Sequence, residues 1–474
     1  MNNNGPGSMR GDQPAAFRAV TERIASGARQ TKLVGFAGTG KSWVLARIAE
    51  WAKGHGWDVS IAAPTHKAAG VIQEKLGADI EVRTIHSLLG LRLEPDYEDD
   101  SGGRILKAAD SKSKVKGGLV ICDEASMLGS VLKEQIEQQH GVVWLFVGDL
   151  AQLPPVGESI SELLDDPDAT LETVLRQEAG SEILNLATRI RQGDLGMTFE
   201  VGKDVFRVAD AEELFQAALS RFQQPEYQED ASYARMLVFR NDRRRAINWR
   251  MRKLLVGTEE PYAPGEWLVM YQAFSPEKSR LNVLAESAKQ HPKGTRGSGR
   301  AWKQFFNYKE SLGNNITQLH VSEEVRILSA GEGQVTVGQW DFDCWRLTVQ
   351  ARGDQEYELP VLQAQEVKRV ETLKAEQAEA AHAARRERDG YPEGCSQWND
   401  ADGRRKRAWS IFFSLEETFA QVDYAYCMTT HRAQGSTFNH VFVDCCDLMS
   451  AGGMVQRILY TAVTRPSKSL TFYR

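Results

Sequence analysis

The chain has 474 residues, 42% of them apolar and 26% charged, with a formal net charge of −6. That length exceeds what one ordinary core serves, so about three domains are expected, and the composition is that of a soluble globular protein. There is no apolar run of about eighteen residues to span a membrane, and the six cysteines form no C-x-x-C pair that would point to zinc or a disulfide framework. Net acidity gives no global pull toward nucleic acid, so any such binding needs a local basic track. The scattered cysteines and the lack of a signal-like N-terminus fit a reducing cytoplasm.

In chain order, Asn2 to Ser8 reads as a disordered tail or a cloning remnant ahead of Met9, and residues 1–11 are set outside the fold. Gln13 to Ala28 reads as an amphipathic helix with Phe17, Val20 and Ile24 on one side. Lys32 to Val34 is a short apolar lead-in, followed by Gly35-Phe36-Ala37-Gly38-Thr39-Gly40-Lys41-Ser42 and then by helical spacing from Trp43 to Lys53. Strand, glycine-rich octet and helix together predict a phosphate loop. Gly35, Gly38 and Gly40, with Thr39 between them, let backbone N–H groups turn inward around phosphate oxygens, and the new helix adds its positive end. Lys41 would reach the β- and γ-phosphates while the Ser42 hydroxyl ligates Mg²⁺, so ATP and Mg²⁺ are the expected cofactors.

Val59 to Ala63 reads as a buried strand ending in Pro64-Thr65-His66-Lys67 before a helix, Ala68 to Leu76, and Thr84-Ile85-His86-Ser87 forms a second junction. Such loops face the ligand crevice of an open α/β sheet. Between Leu91 and Gly118 the rhythm breaks. There Asp99-Asp100-Ser101-Gly102-Gly103 separates Leu91-Arg92-Leu93 from Arg104-Ile105-Leu106, as an inserted hairpin or as an acidic loop. Leu119 to Cys122 is an apolar run closing on Asp123 and Glu124, the Walker B pattern. Asp123 would hold Mg²⁺ through a water, and Glu124 would orient and deprotonate the water that attacks the γ-phosphate. Val142 to Val147 is the next strand, and Gln152 in the Gly148 to Pro155 loop can donate to a γ-phosphate oxygen and report its loss.

Leu171 to Gln192 reads as a helix carrying Arg176. The α/β alternation resumes with strand Met236 to Phe239, basic helix Asn241 to Leu255 and strand Phe438 to Val443, which bracket a long insert from Pro261 to Gln421. Within it, Trp267 to Gln272, Glu324 to Ser329 and Trp345 to Gln350 fit a small β-barrel. A charged helix over Val361 to Arg388 follows, with Glu366, Lys368, Arg369, Glu371 and Lys374 as a solvated face. Arg404-Arg405-Lys406-Arg407 beside Trp409, Phe412 and Phe413 is either a track for phosphates and bases or a basic loop capping an aromatic core. Arg465 ends an apolar helix; it is either a charge that needs an anion such as a γ-phosphate, or a surface arginine favoured by the helix dipole.

Taken in order, these stretches resemble the superfamily 1 helicases, specifically the 5′→3′ branch (superfamily 1B) of the Dda type, from Gln13 to Tyr473. Residues 11–17 look like the adenine-reading Q motif with Gln13 as the base contact, 35–42 like motif I, 63–66 like motif Ia and 84–87 like motif Ib. Residues 122–126 are similar to motif II, 148–155 to motif III, 430–437 to motif V and 460–465 to motif VI, and Arg176 sits where the family keeps its first arginine finger. The resemblance implies an α/β fold of two RecA-like P-loop domains with parallel sheets. Residues 12–178 would form the first, with a β-hairpin pin at about 91–117 that offers Tyr97 and Leu106; residues 179–260 and 421–474 would form the second, interrupted at 261–420 by an insert with an SH3-like β-barrel and a helical extension.

The same resemblance implies that Arg176 and Arg465 act on the γ-phosphate and that Gly435 joins the nucleotide contacts. Thr65, His66, Thr84, His86, Thr430, His431 and Gln434 would grip single-stranded DNA through sugar and phosphate. The implied activity is that of an ATP-dependent DNA helicase in replication, recombination or repair. It would work as a monomer on single strands and junctions, with a single-strand-binding or replisome protein as partner, away from membranes and in the cytoplasm, a host cell's if the chain is of phage origin. An RNA-directed superfamily 1 motor and a nucleotide-gated binding module that does not translocate stay open as alternatives.

Overall fold

Strands covered by helices on both faces are continuous apolar runs, and Leu119 to Cys122 and Leu145 to Val147 are buried throughout. The computed structural model describes residues 9–76, 80–96, 103–108, 115, 117–155, 162–173, 181–195, 202–291, 298–312 and 316–474. The chain divides into two compact units, one from the described residues up to Arg92, Ala108–Leu255 and Tyr426–Arg474, the other from Leu93–Lys107 and Val256–Ala425.

The first unit holds two all-parallel sheets, the RecA-like arrangement that the motifs imply. In the larger, six strands lie in the order Val82–Thr84, Val59–Ala63, Gly118–Cys122, Val142–Gly148, Gln30–Gly35, Ala169–Leu171. Helices Gln13–Ala25, Lys41–Gly54 and His66–Leu76 bury Val20, Ile24, Leu45, Ile48 and Ile72 in a core shared with Leu33, Ile61, Ile121 and Leu145. The smaller sheet has five strands in the order Cys427–Thr429, Ala234–Val238, Phe438–Asp444, Pro466–Tyr473, Val205–Val208. Helix Asn241–Leu255 has the bounds that the sequence predicts.

One expectation fails at Leu171. It closes a strand opposite Gly35 rather than opening a helix, and the helix there is Glu182–Arg191. Leu171 is fully buried, so pairing and packing override local helical spacing. Arg176 lies outside the described residues, as do the tail at 1–8 and Tyr97.

The break after Leu91 resolves as a hairpin, Leu91–Pro95 paired with Arg104–Ala108 as a two-stranded sheet, with Leu93–Lys107 assigned to the second unit. In that unit a barrel-like sheet follows. Five antiparallel strands lie in the order Glu356–Leu362, Trp340–Gln350, Glu324–Val337, Trp267–Met270, Val422–Tyr424. The Ala420 N–H donates to the Pro360 carbonyl at 2.8 Å, linking the two ends of that order around a core of Leu268, Val325, Ile327, Leu347, Val349 and Leu359. Residues 356–362 are therefore a strand, and the charged helix begins at Ala364, not Val361. Leu359 and Val361 alternate inward, a period-2 signal that the following helix masked.

The basic cluster is no loop. It lies on helix Ser396–Thr418, where Trp409 and Phe413 are buried. Each cation has a carboxylate: Arg404 with Glu387 at 2.7 Å, Arg405 and Lys406 with Asp402 at 2.8 and 2.7 Å, and Arg407 with Glu286 at 3.2 Å. Trp409 and Phe413 are core residues, and the paired cations lie on the helix that packs against Ala364–Arg388. Helices Pro276–Lys289 and Ser298–Leu312, between the first two strands of this sheet, were not foreseen.

Candidate nucleotide site and nucleic-acid surface

Gly38 and Gly40 both have φ of +82°, a conformation that side chains resist, and Gly40 caps the N-terminus of helix Lys41–Gly54. A Cβ at Gly35 would lie 2.9 Å from the Leu171 Cβ and from the Thr39 hydroxyl, so that glycine is required by packing. Inside the loop, the Thr39 hydroxyl donates to the Phe36 carbonyl at 2.8 Å. The Lys41 ammonium donates to the carbonyls of Gly35 at 2.7 Å and Phe36 at 3.2 Å, and stands 3.8 Å from Asp149. Ser42 follows in the first helical turn. Gln13 is buried beneath the loop: its amide donates to the Thr39 carbonyl at 3.0 Å, and its oxygen accepts from the Arg10 N–H at 3.2 Å.

At the end of strand Gly118–Cys122 the buried Asp123 accepts from the Glu124 N–H at 2.9 Å. Glu124 is held at φ +53°, and its Oε2 is buried with no hydrogen-bond partner. Burial, and then the charge of Asp123, push this carboxyl above the usual range, against the pull of Lys41 and Arg465. Asp149, fully buried, accepts from the Ala151 N–H at 3.0 Å, the Gln152 amide at 3.4 Å and the Tyr460 hydroxyl at 2.8 Å.

The opposite wall is helix Val455–Val463, which belongs to the smaller sheet. Just past its end, Arg465 is 7% exposed, which rules out a surface arginine. It donates to the Thr461 carbonyl at 2.9 Å, the Ser436 carbonyl at 3.1 Å and the Thr464 hydroxyl at 2.9 Å, and its charge acts on Glu124. Arg457 donates to the carbonyls of Leu150 and, at 2.9 Å, Gln152. Gln152 is buried, and its oxygen accepts from the Gln434 amide at 3.5 Å, which also donates to the Leu153 carbonyl at 3.1 Å.

Lys41 and Arg465 acting on a carboxyl whose Oε2 is buried without a partner suit a polyanion attacked by water. The oxygens of Ser42 and Asp123 suit a hard divalent cation such as Mg²⁺. Sequence reading gave no role to Asp149, Arg457 or Tyr460. Tyr460 was legible in principle, because a phenol inside an apolar helix needs a buried partner. Nor did it foresee the Arg191 guanidinium 3.6 Å from the Phe36 ring centroid.

The residues expected to touch nucleic acid fall into two kinds. The Thr65 hydroxyl accepts from the Ala68 N–H at 3.1 Å, the Thr84 hydroxyl from the Ser87 N–H at 3.2 Å, and Thr430, fully buried, donates to the Val238 carbonyl at 3.2 Å. His66, His86 and His431 are partly exposed, and burial pushes each below the ordinary imidazole range, His86 adding to the effect on His66. Gly435, at φ +77°, brings the 430–437 loop against the other sheet's Ala68 and Thr65, where a Cβ would lie 3.6 and 4.0 Å away.

Residues 9–213 match the family described as AAA domain, and residues 424–473 the UvrD-like helicase C-terminal domain. The chain is 25% identical over 480 residues to the ATP-dependent DNA helicase dda of Enterobacteria phage T4, covering 96% of each chain. It is 23% identical over 508 residues to an uncharacterised protein, R530, of Acanthamoeba polyphaga mimivirus, covering 93% of this chain and 94% of that one. A solved structure of Bacteroides Pif1 bound to ssDNA aligns with 96% of this chain and 91% of its own at 16% identity and a TM-score of 0.44. The likeness to superfamily 1 helicases read from the motifs thus extends over nearly the whole sequence.

Proposed function

We propose that this chain, similar over nearly its whole length to the phage T4 helicase, is an ATP-dependent DNA helicase that moves 5′→3′ along single-stranded DNA and parts duplex ahead of it, in replication, recombination or repair. The observation that carries the reading is the convergence of Lys41, Glu124 and Asp149, from loops of the six-stranded sheet, with Tyr460 and Arg465 from the five-stranded one.

Phosphoryl transfer to water needs positioning and neutralised charge more than covalent chemistry. Lys41 grips the β- and γ-phosphates, and the N–H groups around Gly38 and Gly40 cradle them. Glu124, whose Oε2 is buried with no hydrogen-bond partner, orients the attacking water and takes its proton. Mg²⁺, held by Ser42 and Asp123, would neutralise phosphate charge. Arg465, with Arg176 as its expected companion, steadies the charge that builds on the γ-phosphate, and Gln152 reports its departure. Loss of that group removes the anionic partner of Arg465 and lets the two sheets part. DNA is held over the 65–68, 84–87 and 430–437 loops. Thr65, Thr84 and Thr430, whose hydroxyls serve nearby backbone groups, shape these loops, while His66, His86 and His431 supply neutral N–H donors to phosphate and sugar.

The test is strand separation of duplexes bearing a 5′ or a 3′ single-stranded tail, with and without ATP. Unwinding of the 5′-tailed duplex alone, dependent on ATP, is expected. Stimulation of ATPase by RNA instead of DNA would favour the RNA-directed motor, and nucleic-acid-independent hydrolysis without unwinding would favour the gated module.

A further inference from the structure

The phosphate loop is internally occupied. The Tyr460 hydroxyl accepts from the Ala37 N–H at 2.9 Å, within the octet, and donates to Asp149 at 2.8 Å. Lys41, the loop's cation, is turned onto the carbonyls of Gly35 and Phe36 with Asp149 3.8 Å away. A phenol oxygen that accepts from a loop N–H does what a phosphate oxygen would do there. Burial and the charge of Asp149 hold the Tyr460 proton far above the ordinary phenol range, so the group stays a hydroxyl, able to accept and donate at once.

We infer that Tyr460 is a placeholder for the nucleotide: its hydroxyl takes the Ala37 N–H of the phosphate loop from the opposing helix and must give it up when a triphosphate enters. Tyr460 lies on helix Val455–Val463, which leads directly into Arg465, while Ala37 follows strand Gln30–Gly35 of the other sheet. Losing the Ala37 link changes how the helix that delivers Arg465 is held, while its bonds to Asp149, Leu150 and Gln152 keep it against the same sheet, so filling the loop and setting the finger become coupled. Tyr460 touches no reacting atom in this scheme; it is a positioning residue. The inference rests on the nucleotide-site reading above.

The test uses the full chain with Tyr460→Phe, which keeps the ring and removes only the hydroxyl. Nucleotide binding without DNA is followed with a fluorescent ATP analogue, and ATP consumed per base pair unwound is followed with DNA. With no hydroxyl to displace, the variant binds the analogue about fivefold more tightly, the scale of one net hydrogen bond. It also hydrolyses more ATP in the absence of DNA and spends more ATP per base pair. A merely structural hydroxyl would lower the melting temperature and leave affinity and coupling unchanged, and that result, or weaker analogue binding, overturns the inference. Tyr460→Leu, which also removes the ring, is the comparison: its affinity gain matches that of Tyr460→Phe if the hydroxyl alone is responsible. Failure of the wild-type chain to bind the analogue at all would instead defeat the nucleotide-site reading.

Discussion

After strand Gln30–Gly35 the larger sheet turns into its helix through glycines at φ +82°, and the Ala37 N–H of that turn donates to the Tyr460 hydroxyl at 2.9 Å. After strand Ala234–Val238 the smaller sheet turns into helix Asn241–Leu255 through Phe239 and Arg240, with no glycine. There the buried Asp447 fills the turn, accepting from the N–H groups of Phe239 at 2.6 Å and Arg240 at 3.0 Å and from the Arg240 guanidinium at 2.6 Å. Both turns want an anion, as helix N-termini do. In the smaller sheet a carboxylate takes the turn N–H groups; in the larger the Tyr460 phenol takes the Ala37 N–H. The two turns differ by one carboxylate and three glycines.

The largest expected break in this contrast is Lys41→Ala, which removes the cation of the glycine-rich turn. DNA-stimulated ATPase is abolished in a phosphate-release assay while the melting temperature stays near wild type. Arg465→Ala acts from the other lobe. It lowers kcat by a factor on the order of 10³, as loss of a finger does, with nucleotide affinity changed far less. Glu124→Gln keeps nucleotide binding and loses turnover by about 100-fold or more, the scale of a general base. Equal hydrolysis by wild type and Glu124→Gln would remove the base from this carboxylate. The smallest change sharpens the contrast from the filled side. Asp447→Ala orphans the two turn N–H groups and costs about 2–3 kcal/mol of stability, read as a lower melting temperature with kcat retained where the protein is folded.

The octet, the carboxylates after Cys122 and the order of the later motifs were legible because phosphate chemistry fixes residue types at fixed spacing, and strand–loop–helix context confirms them locally. Leu171 was misread as helical, since what holds it is pairing with Gly35, a partner 136 positions upstream in the sequence and invisible to local periodicity. Arg405 drew attention as a cation beside aromatics, yet it is 1% exposed and answered by Asp402 three residues earlier, so the acid in the same helix was the better guide. Thr430 was read as a surface contact but is fully buried. Tyr460 was read only as the first residue of the stretch likened to motif VI, with no contact of its own, because its partners, Ala37 and Asp149, stand more than 300 residues away.

The long stretch of the second unit, Val256–Ala425, starts and finishes on adjacent strands: Trp267–Met270 pairs antiparallel with Val422–Tyr424, Leu268 opposite Tyr424. The excursion between them is thereby zipped shut at its own base, and its closure entropy is met by its own ladder. Helices such as Ala364–Arg388 and Ser396–Thr418 can therefore lengthen, shrink or be exchanged over evolutionary time while the base pairing stays as it is. Such a lineage could refit the appendage for new tracks or companions without retuning its engine.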